Sequence, residues 1–452
     1  MNLNLGTSVS KSNLGFLLLL AFACIYLVYI PDQGDFTHII LPYGLAFISY
    51  YFLVKRGVEK SSFTLFIVVG LLIRVCLLFA LPNLSDDLYR FIWDGRLLHQ
   101  GISPFMATPT ELVSNPSVNV DPMLYESLNS KDYYSVYPPL AQVIYLIGSF
   151  YGLSIWGSSL VMKLILLSIE CLGCFYLIKL LKLVFKVENQ AYYLGVLYFL
   201  NPLLIVEGVG NIHFETIMLS LLAISFYYLY EKKWVLASLF LALSISTKLI
   251  PIILLPFLMV KIRGKAKWIF IASTSLFLLI CFIPLLWSID IQHFMQSLDL
   301  YFRKFEFNAS IYYLLRAIGY EWYGYNKIAV LGPYLALLVV SLSFYYIFWK
   351  ARKEVFSLEG LSLYGLFALT SYYVCSTTVH PWYICNLIFL SLFTRFRYPM
   401  FWASLVPLTY INYSYDPYFE NLWIVFFEYV LLFIFILNEW KYKKHVPLTK
   451  SI

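Results

Sequence analysis

Apolar runs of about twenty residues recur from one end of this chain to the other, and few folds accommodate that. Candidate spans begin near Leu14, His38, Ser62, Ser158, Ala191, Phe214, Trp234, Leu249, Trp268, Ala329, Leu358, Ile384, Met400 and Leu422. A water-soluble core of this size would need a charged surface, yet only 13% of the 452 residues are charged and 61% are hydrophobic. Backbone polar groups inside lipid must be satisfied within the segment, which favours helices. The expected fold is therefore all-α, a single polytopic transmembrane bundle over residues 1–452 with about 12 to 14 spans. Residues 14–30 lack a small-residue cleavage site, and they read as a retained first span. The seven cysteines lie in or beside apolar runs. Cys171 and Cys174 form a CxxC with no second pair, so they read as small packing residues.

The net charge of +7 does not point to nucleic acid, because the basic residues are spread over short loops. Lys11, Lys55-Arg56-Lys60, Lys179-Lys182-Lys186, Lys232-Lys233, Lys261-Arg263-Lys265-Lys267, Lys350-Arg352-Lys353, Arg395-Arg397 and Lys441-Lys443-Lys444-Lys450 fall on one side of the threading. They hold 22 of the 32 Lys and Arg. Such a bias predicts a multi-pass cell (cytoplasmic) membrane protein with both termini cytoplasmic. Counting 137–156 as a span would break the bias, so this segment, opened by Pro138-Pro139, is expected to be re-entrant or interfacial. Trp234–Thr247 and 249–260 are expected to form a tight pair of short helices around Lys248.

The opposite, outer loops carry the distinctive polar residues. The longest, 83–136, opens on Asp86-Asp87, followed by Arg90 and Asp94. Then come Glu207, His213-Phe214-Glu215, the segment 301–308 with Arg303, and His380-Pro381-Trp382-Tyr383. Asp86 and Asp87 close an apolar run, where desolvation and mutual repulsion raise a carboxyl pKa; they are either a general base or a solvated helix cap. If the segment is helical, Asp87, Arg90 and Asp94 share a face. His213 and Glu215 fit structural hydrogen bonding, substrate binding or, more weakly, a metal that lacks a third ligand. His380-Pro381-Trp382-Tyr383 reads either as a binding element or as an interfacial aromatic set. Lys248, set among apolar helices, either pairs with a lipid phosphate or snorkels to the headgroups.

Asp87-Leu88-Tyr89-Arg90-Phe91-Ile92-Trp93-Asp94-Gly95, followed by Gly101-Ile102-Ser103-Pro104-Phe105, resembles the first outer loop of GT-C class polyprenol-phosphate-dependent mannosyltransferases. So do Tyr137-Pro138-Pro139-Leu140, Asn201-Pro202 with Glu207 and His213, Lys248 before Leu249-Ile250-Pro251, and His380-Pro381-Trp382-Tyr383. The pieces keep the family's order over roughly residues 80–385. The resemblance implies an integral-membrane hexosyltransferase with its active site on the outer face. It would take mannose from a polyprenyl-phosphate donor, with inversion, and pass it to a glycan, lipid or alcohol acceptor. An acid of the first loop would be the base: Asp87, which keeps the family's spacing to Tyr89 and Arg90, with Asp86 as its alternate. Arg90, Asp94, Tyr137, Glu207, His213, Glu215, Lys248, Arg303, His380 and Tyr383 would line the substrate site. No cofactor, metal or nucleic acid is expected. The chain departs from the family at His213-Phe214-Glu215, where many relatives have His-Asn-Asp, and at Pro104-Phe105, where Pro-Tyr is usual.

Independently of the resemblance, the 83–136 loop is too short for a nucleotide-sugar domain, and an outward-facing enzyme has a lipid-linked donor at hand. A phosphate leaving group would need a cation, for which Lys248, Arg303, Lys304 and Arg316 are available. The rival is a lipid-linked sugar flippase or transporter. That reading calls for charges near the midplane and inverted repeats; Arg74 alone looks near the midplane, and no repeat is evident.

Overall fold

The computed structural model describes residues 11–55, 57–150, 152–287 and 291–443. Arg56, Lys444 and Lys450 of the basic clusters lie outside the described residues. The protein is a helical membrane bundle. Three helices lead in: α1 (Lys11–Tyr29), α2 (Phe36–Lys55) and α3 (Lys60–Leu77). The first large loop holds α4 (Asp87–His99) and two one-turn helices, α5 (Pro109–Val113) and α6 (Pro122–Glu126). It closes on α7 (Pro139–Gly148), which starts at Pro138-Pro139 and at ten residues is too short to span.

Next come α8 (Ile155–Val184), α9 (Glu188–Phe199) and α10 (Pro202–Ile205). A π-turn (Val206–Gly210) leads into α11 (Glu215–Tyr230). α12 (Trp234–Thr247) ends at Lys248, whose backbone is extended. A 3-10 turn (Ile250–Leu254) and α13 (Leu255–Lys261) follow, and Pro251 and Pro256 remove the amide donors that would carry one helix through. This is the expected pair of short helices. The second half comprises α14 (Gly264–Trp287), α15 (Ile291–Arg303), α16 (Ile311–Tyr323), α17 (Ile328–Tyr345) and α18 (Leu358–Cys375). It continues with α19 (Ile384–Ser391), α20 (Tyr398–Leu405) and α21 (Leu422–Lys443).

Among the described residues, six helices are long and apolar enough to cross a bilayer: α2, α3, α8, α14, α17 with its π-turn, and α21. The segment 188–210 would be a seventh, bent by 52°. Asn201 causes the bend: a residue before proline resists the helical region, and the Asn201 side chain then caps the next turn by accepting from the Leu203 amide at 3.0 Å. α1, α7, α11, α12, 250–261 and 381–391 are shorter apolar helices. The segments starting at Ile384 and Met400 are each interrupted after two turns or so, the second by Pro407 opening a 3-10 stretch, Val406–Ser414.

Two buried cations of the bundle are held by protein partners. Arg74 of α3 grips Glu170 of α8 in a two-pronged bridge (2.9 and 2.8 Å), stacks over Phe199 and donates to the Gly70 carbonyl. Lys163 donates to the carbonyls of Leu77 and Ala80 at the end of α3. The loops expected on one side gather at one end. Gln33 reaches the Leu84 carbonyl (3.2 Å), Ser297 the Tyr134 carbonyl (3.0 Å), and the Asn308 amide the Glu420 carboxylate (2.6 Å). At the opposite end Tyr230 donates to the Leu183 carbonyl, and Glu439 accepts from the Arg397 and Tyr398 amides.

Candidate active site

Asp86 occupies the position before α4 without a side-chain capping bond and is exposed; Asp87 is the first helical residue and half-buried. The Asp87 amide donates to Ser85 Oγ (3.3 Å), but its carboxylate holds no hydrogen bond or ion pair among the described residues. A carboxylate in the first turn of a helix is favoured by the helix dipole. Desolvation, and then the charge of Asp87, push the Asp86 carboxyl above its usual range.

The rest of that helix face is spoken for. Arg90 Nε donates to Asp94 Oδ1 at 2.8 Å, and its Nη1 donates to the carbonyls of Ser130 and Tyr133. Asp94 Oδ2 accepts from Ser135 Oγ (2.5 Å) and Gln142 Nε2 (2.9 Å). This buried knot ties the first large loop to α4 and α7. The two helices touch at Gly95, where an added Cβ would lie 2.3 Å from the Tyr145 carbonyl oxygen. Only glycine permits that approach.

Tyr145 of α7 is fully buried in a group of rings. Phe91 stacks on it at 4.5 Å, and Phe214 and Tyr137 meet it edge-on at 5.1 and 5.5 Å. The charges of Asp94, Asp87, Glu215 and Arg90 all act on its hydroxyl, which marks it as the point where α4, α7 and the start of α11 converge.

The bent segment supplies the other wall. Ile212 adopts φ 59°, a strained conformation for a β-branched residue, between the π-turn and His213. Glu207 is buried and satisfied: Oε1 accepts from Tyr43 (2.8 Å) and Tyr410 (3.0 Å), and Oε2 accepts from Asn211 (3.2 Å). His213 Nε2 lies 3.3 Å from the same Oε2, at an angle too poor for a hydrogen bond. Glu215, buried, is paired through Oε1 with Lys248, while its Oε2 has no partner among the described residues. Lys248, 19% exposed, also lies 5.8 Å from the Tyr383 ring centre.

The segments 305–308 and 376–383 are joined backbone to backbone: the Phe307 amide donates to Thr377 O and the Val379 amide to Phe307 O. This seats a four-ring column, His213 on Trp382 (3.7 Å), Trp382 on His380 (4.5 Å) and His380 on Phe307 (4.8 Å). Burial among these rings, then the nearby His213 and Lys248, hold the His380 imidazole down at about 3, so it is neutral at physiological pH. Tyr413 links the column to the acids: its ring is 5.8 Å from Phe307, and the charges of Asp87 and Asp86 act on its hydroxyl.

Asp86, Asp87, Tyr137, Glu207, His213, Glu215, Lys248, His380 and Tyr383 thus converge. Arg90 and Asp94 stand behind Asp87 as its support. Arg303 does not join them; it ends α15, exposed, in a 2.7 Å pair with Asp299. Arg316 is held by Glu306, which also accepts from Tyr312 and Asn326. The sequence reading missed Tyr145, Ser135, Gln142, Tyr410 and Tyr413 as members of the assembly. A tyrosine in an apolar helix carries no signal of its own; the i, i+3 pair Gln142 and Tyr145 in the short segment after Pro139 was the available hint.

Residues 29–264, just over half of the chain, match the family described as alpha-(1->6)-mannopyranosyltransferase, N-terminal domain. The chain belongs to this family. Alpha-(1->6)-mannopyranosyltransferase A of Corynebacterium glutamicum is 26% identical over 188 residues, which is 40% of this chain. The match spans 36% of that relative's length. The mannopyranosyltransferase family match includes Asp86, Asp87, Tyr145, Glu207, His213, Glu215 and Lys248. His380, Trp382 and Tyr383 come from beyond it and complete the same cluster.

Proposed function

We propose that the protein is a membrane mannosyltransferase, acting on the outer face, that moves a mannosyl group from a polyprenyl-phosphate carrier to an acceptor hydroxyl on a glycan, lipid or alcohol. Asp87 takes the acceptor proton as the acceptor oxygen bonds to the anomeric carbon. The bond from that carbon to the phosphate oxygen breaks on the opposite face, and polyprenyl phosphate leaves with the electron pair. Asp86 is the alternate base. Lys248 steadies the departing phosphate, and Glu215 holds the lysine until the donor arrives.

One observation carries this reading. Asp94 and Glu207 are engaged at both carboxylate oxygens and Glu215 at one, whereas the Asp87 carboxylate, on the rim of the same cluster, is unengaged among the described residues. A general base needs a free lone pair within reach of its proton, and losing one typically costs about 10²–10⁴-fold in rate. The family match supports the activity and the sugar. The buried charges weigh against the transporter reading, because Arg74 and Lys163 are each held by protein partners.

The test supplies membranes with radiolabelled polyprenyl-phosphate mannose or nucleotide-linked mannose, for wild type and Asp87→Asn. Label moving from the lipid donor only, and at least about 10²-fold slower in Asp87→Asn, is the expected result. Full activity in that variant would overturn the assignment of the base, and transfer from the nucleotide sugar would overturn the donor.

A further inference from the structure

We infer that Tyr145 is a substrate contact, its hydroxyl donating a hydrogen bond to a hydroxyl oxygen of the mannosyl group in transit. The inference rests on the function proposed above and adds to it the group that reads the sugar. The Tyr145 hydroxyl is fully buried and has no hydrogen-bond partner among the described residues. Buried polar atoms are nearly always satisfied, so an idle one points to a partner absent from the protein itself.

Its position is fixed. Phe91, Tyr137 and Phe214 surround the ring, and turning the ring leaves the hydroxyl oxygen on its axis. Gly95 presses α4 against the Tyr145 carbonyl, which sets the distance between Asp87's helix and α7. One turn before, the Gln142 side-chain oxygen is also buried without a partner among the described residues, while its nitrogen is committed to Asp94 and Ser135.

The surrounding charges choose the ligand atom. Asp94, Asp87 and Glu215 act on the hydroxyl; Asp94 is paired with Arg90 and Glu215 with Lys248, which leaves the negative charge of Asp87 uncompensated. That field repels a phosphate, so the oxygen that fits here is a neutral hydroxyl. Both the proposed base, Asp87, and Glu215, the partner of Lys248, act on this hydroxyl. In an in-line displacement the transferred sugar occupies the space between nucleophile and leaving group. A phenol held protonated there is a donor to one sugar oxygen.

Tyr145→Phe removes that oxygen and keeps the ring stack. The experiment measures kcat/KM in lipid nanodiscs for wild type, Tyr145→Phe and Asp87→Asn, with polyprenyl-phosphate mannose and its monodeoxy analogues. Tyr145→Phe is expected to lose about 10- to 100-fold with the full donor. Wild type should show a similar loss with one particular deoxy donor, and Tyr145→Phe should no longer distinguish that donor from mannose. The ligand-free variant should melt no lower than wild type, since an idle buried hydroxyl has been removed. Unchanged kcat/KM in Tyr145→Phe, or an equal loss with every donor, overturns the contact. An active Asp87→Asn overturns the base alone, because the deoxy series still judges Tyr145. Wild type that moves no sugar from the lipid donor overturns both.

Discussion

Asp86 and His380 are the two residues of the cluster whose protonation should be visible in stability. Asp86 has a folded-state pKa raised above its ordinary 3.8 by desolvation and by Asp87. Its protonated form is thus favoured by folding, a contribution present at acid pH and lost as pH rises. Asp86→Asn should raise the melting temperature slightly at pH 7, and the gain should vanish at or below the ordinary carboxylate range. If Asp87 is the base, this variant should keep transfer activity within a few-fold. His380 has the opposite sign: its pKa is lowered from 6.5 to about 3, so its contribution is present at neutral pH and lost as pH falls through that window. His380→Gln should flatten the decline in melting temperature between those values, measured in detergent at several pH values. At this scale the sequence was half legible. Which residue types would matter could be read from the loops, whereas their partners could not. His213 and Glu215 read as structural hydrogen-bonding or substrate-binding residues two apart; one stacks on Trp382 and the other binds Lys248.

At the level of elements, proline and charge gave clear signals. The charge bias, with Pro138-Pro139, marked 137–156 as re-entrant or interfacial rather than a span, and the same bias marked a pair of short helices around Lys248. α15 and α16 escaped notice because a search for uniformly apolar runs passes over amphipathic helices; α15 buries Phe294 while exposing Met295. Two elements should be sensitive to single changes. Arg74→Leu would leave Glu170 buried and uncompensated between α3 and α8, a loss of about 3–5 kcal/mol. The double replacement Arg74→Leu with Glu170→Leu should recover most of it, and thermal melts of both variants in detergent decide this. Asp94→Ala should release Arg90, Ser135 and Gln142 together and loosen the loop. Limited proteolysis should then cut within 100–136 faster than in wild type, while the bundle stays intact.

At the level of the whole molecule, the order of the motifs was legible, and so was the gathering of alternate loops at one end. Their register was not. The column from His213 to Phe307 draws on three segments far apart in the chain, and no local pattern encodes such a stack. The charge bias makes a topological prediction. Ser117→Cys, in the first large loop, should react with a membrane-impermeant maleimide in intact cells, whereas Lys186→Cys should react only after permeabilisation, each compared with the parent protein. Labelling of both in intact cells, or the reverse pattern, would overturn the orientation.

The Arg74–Glu170 bridge also bears on how the protein is made. The two residues are 96 positions apart, so during synthesis α3 is finished well before its counter-charge exists. At about 5–20 residues per second the interval is roughly 5 to 20 s. An unpaired arginine opposes insertion by up to about 2.5–3.5 kcal/mol, the cost at a helix centre, and by less near an end; Arg74 sits in the last turn of α3. α3 is therefore expected to linger at the insertion machinery, held by α1 and α2, and to enter the lipid as the companion of α8. Ribosome-bound chains halted between residues 100 and 150 should show α3 cross-linking to the translocation channel, and chains halted beyond 220 should show it cross-linking to α8 instead.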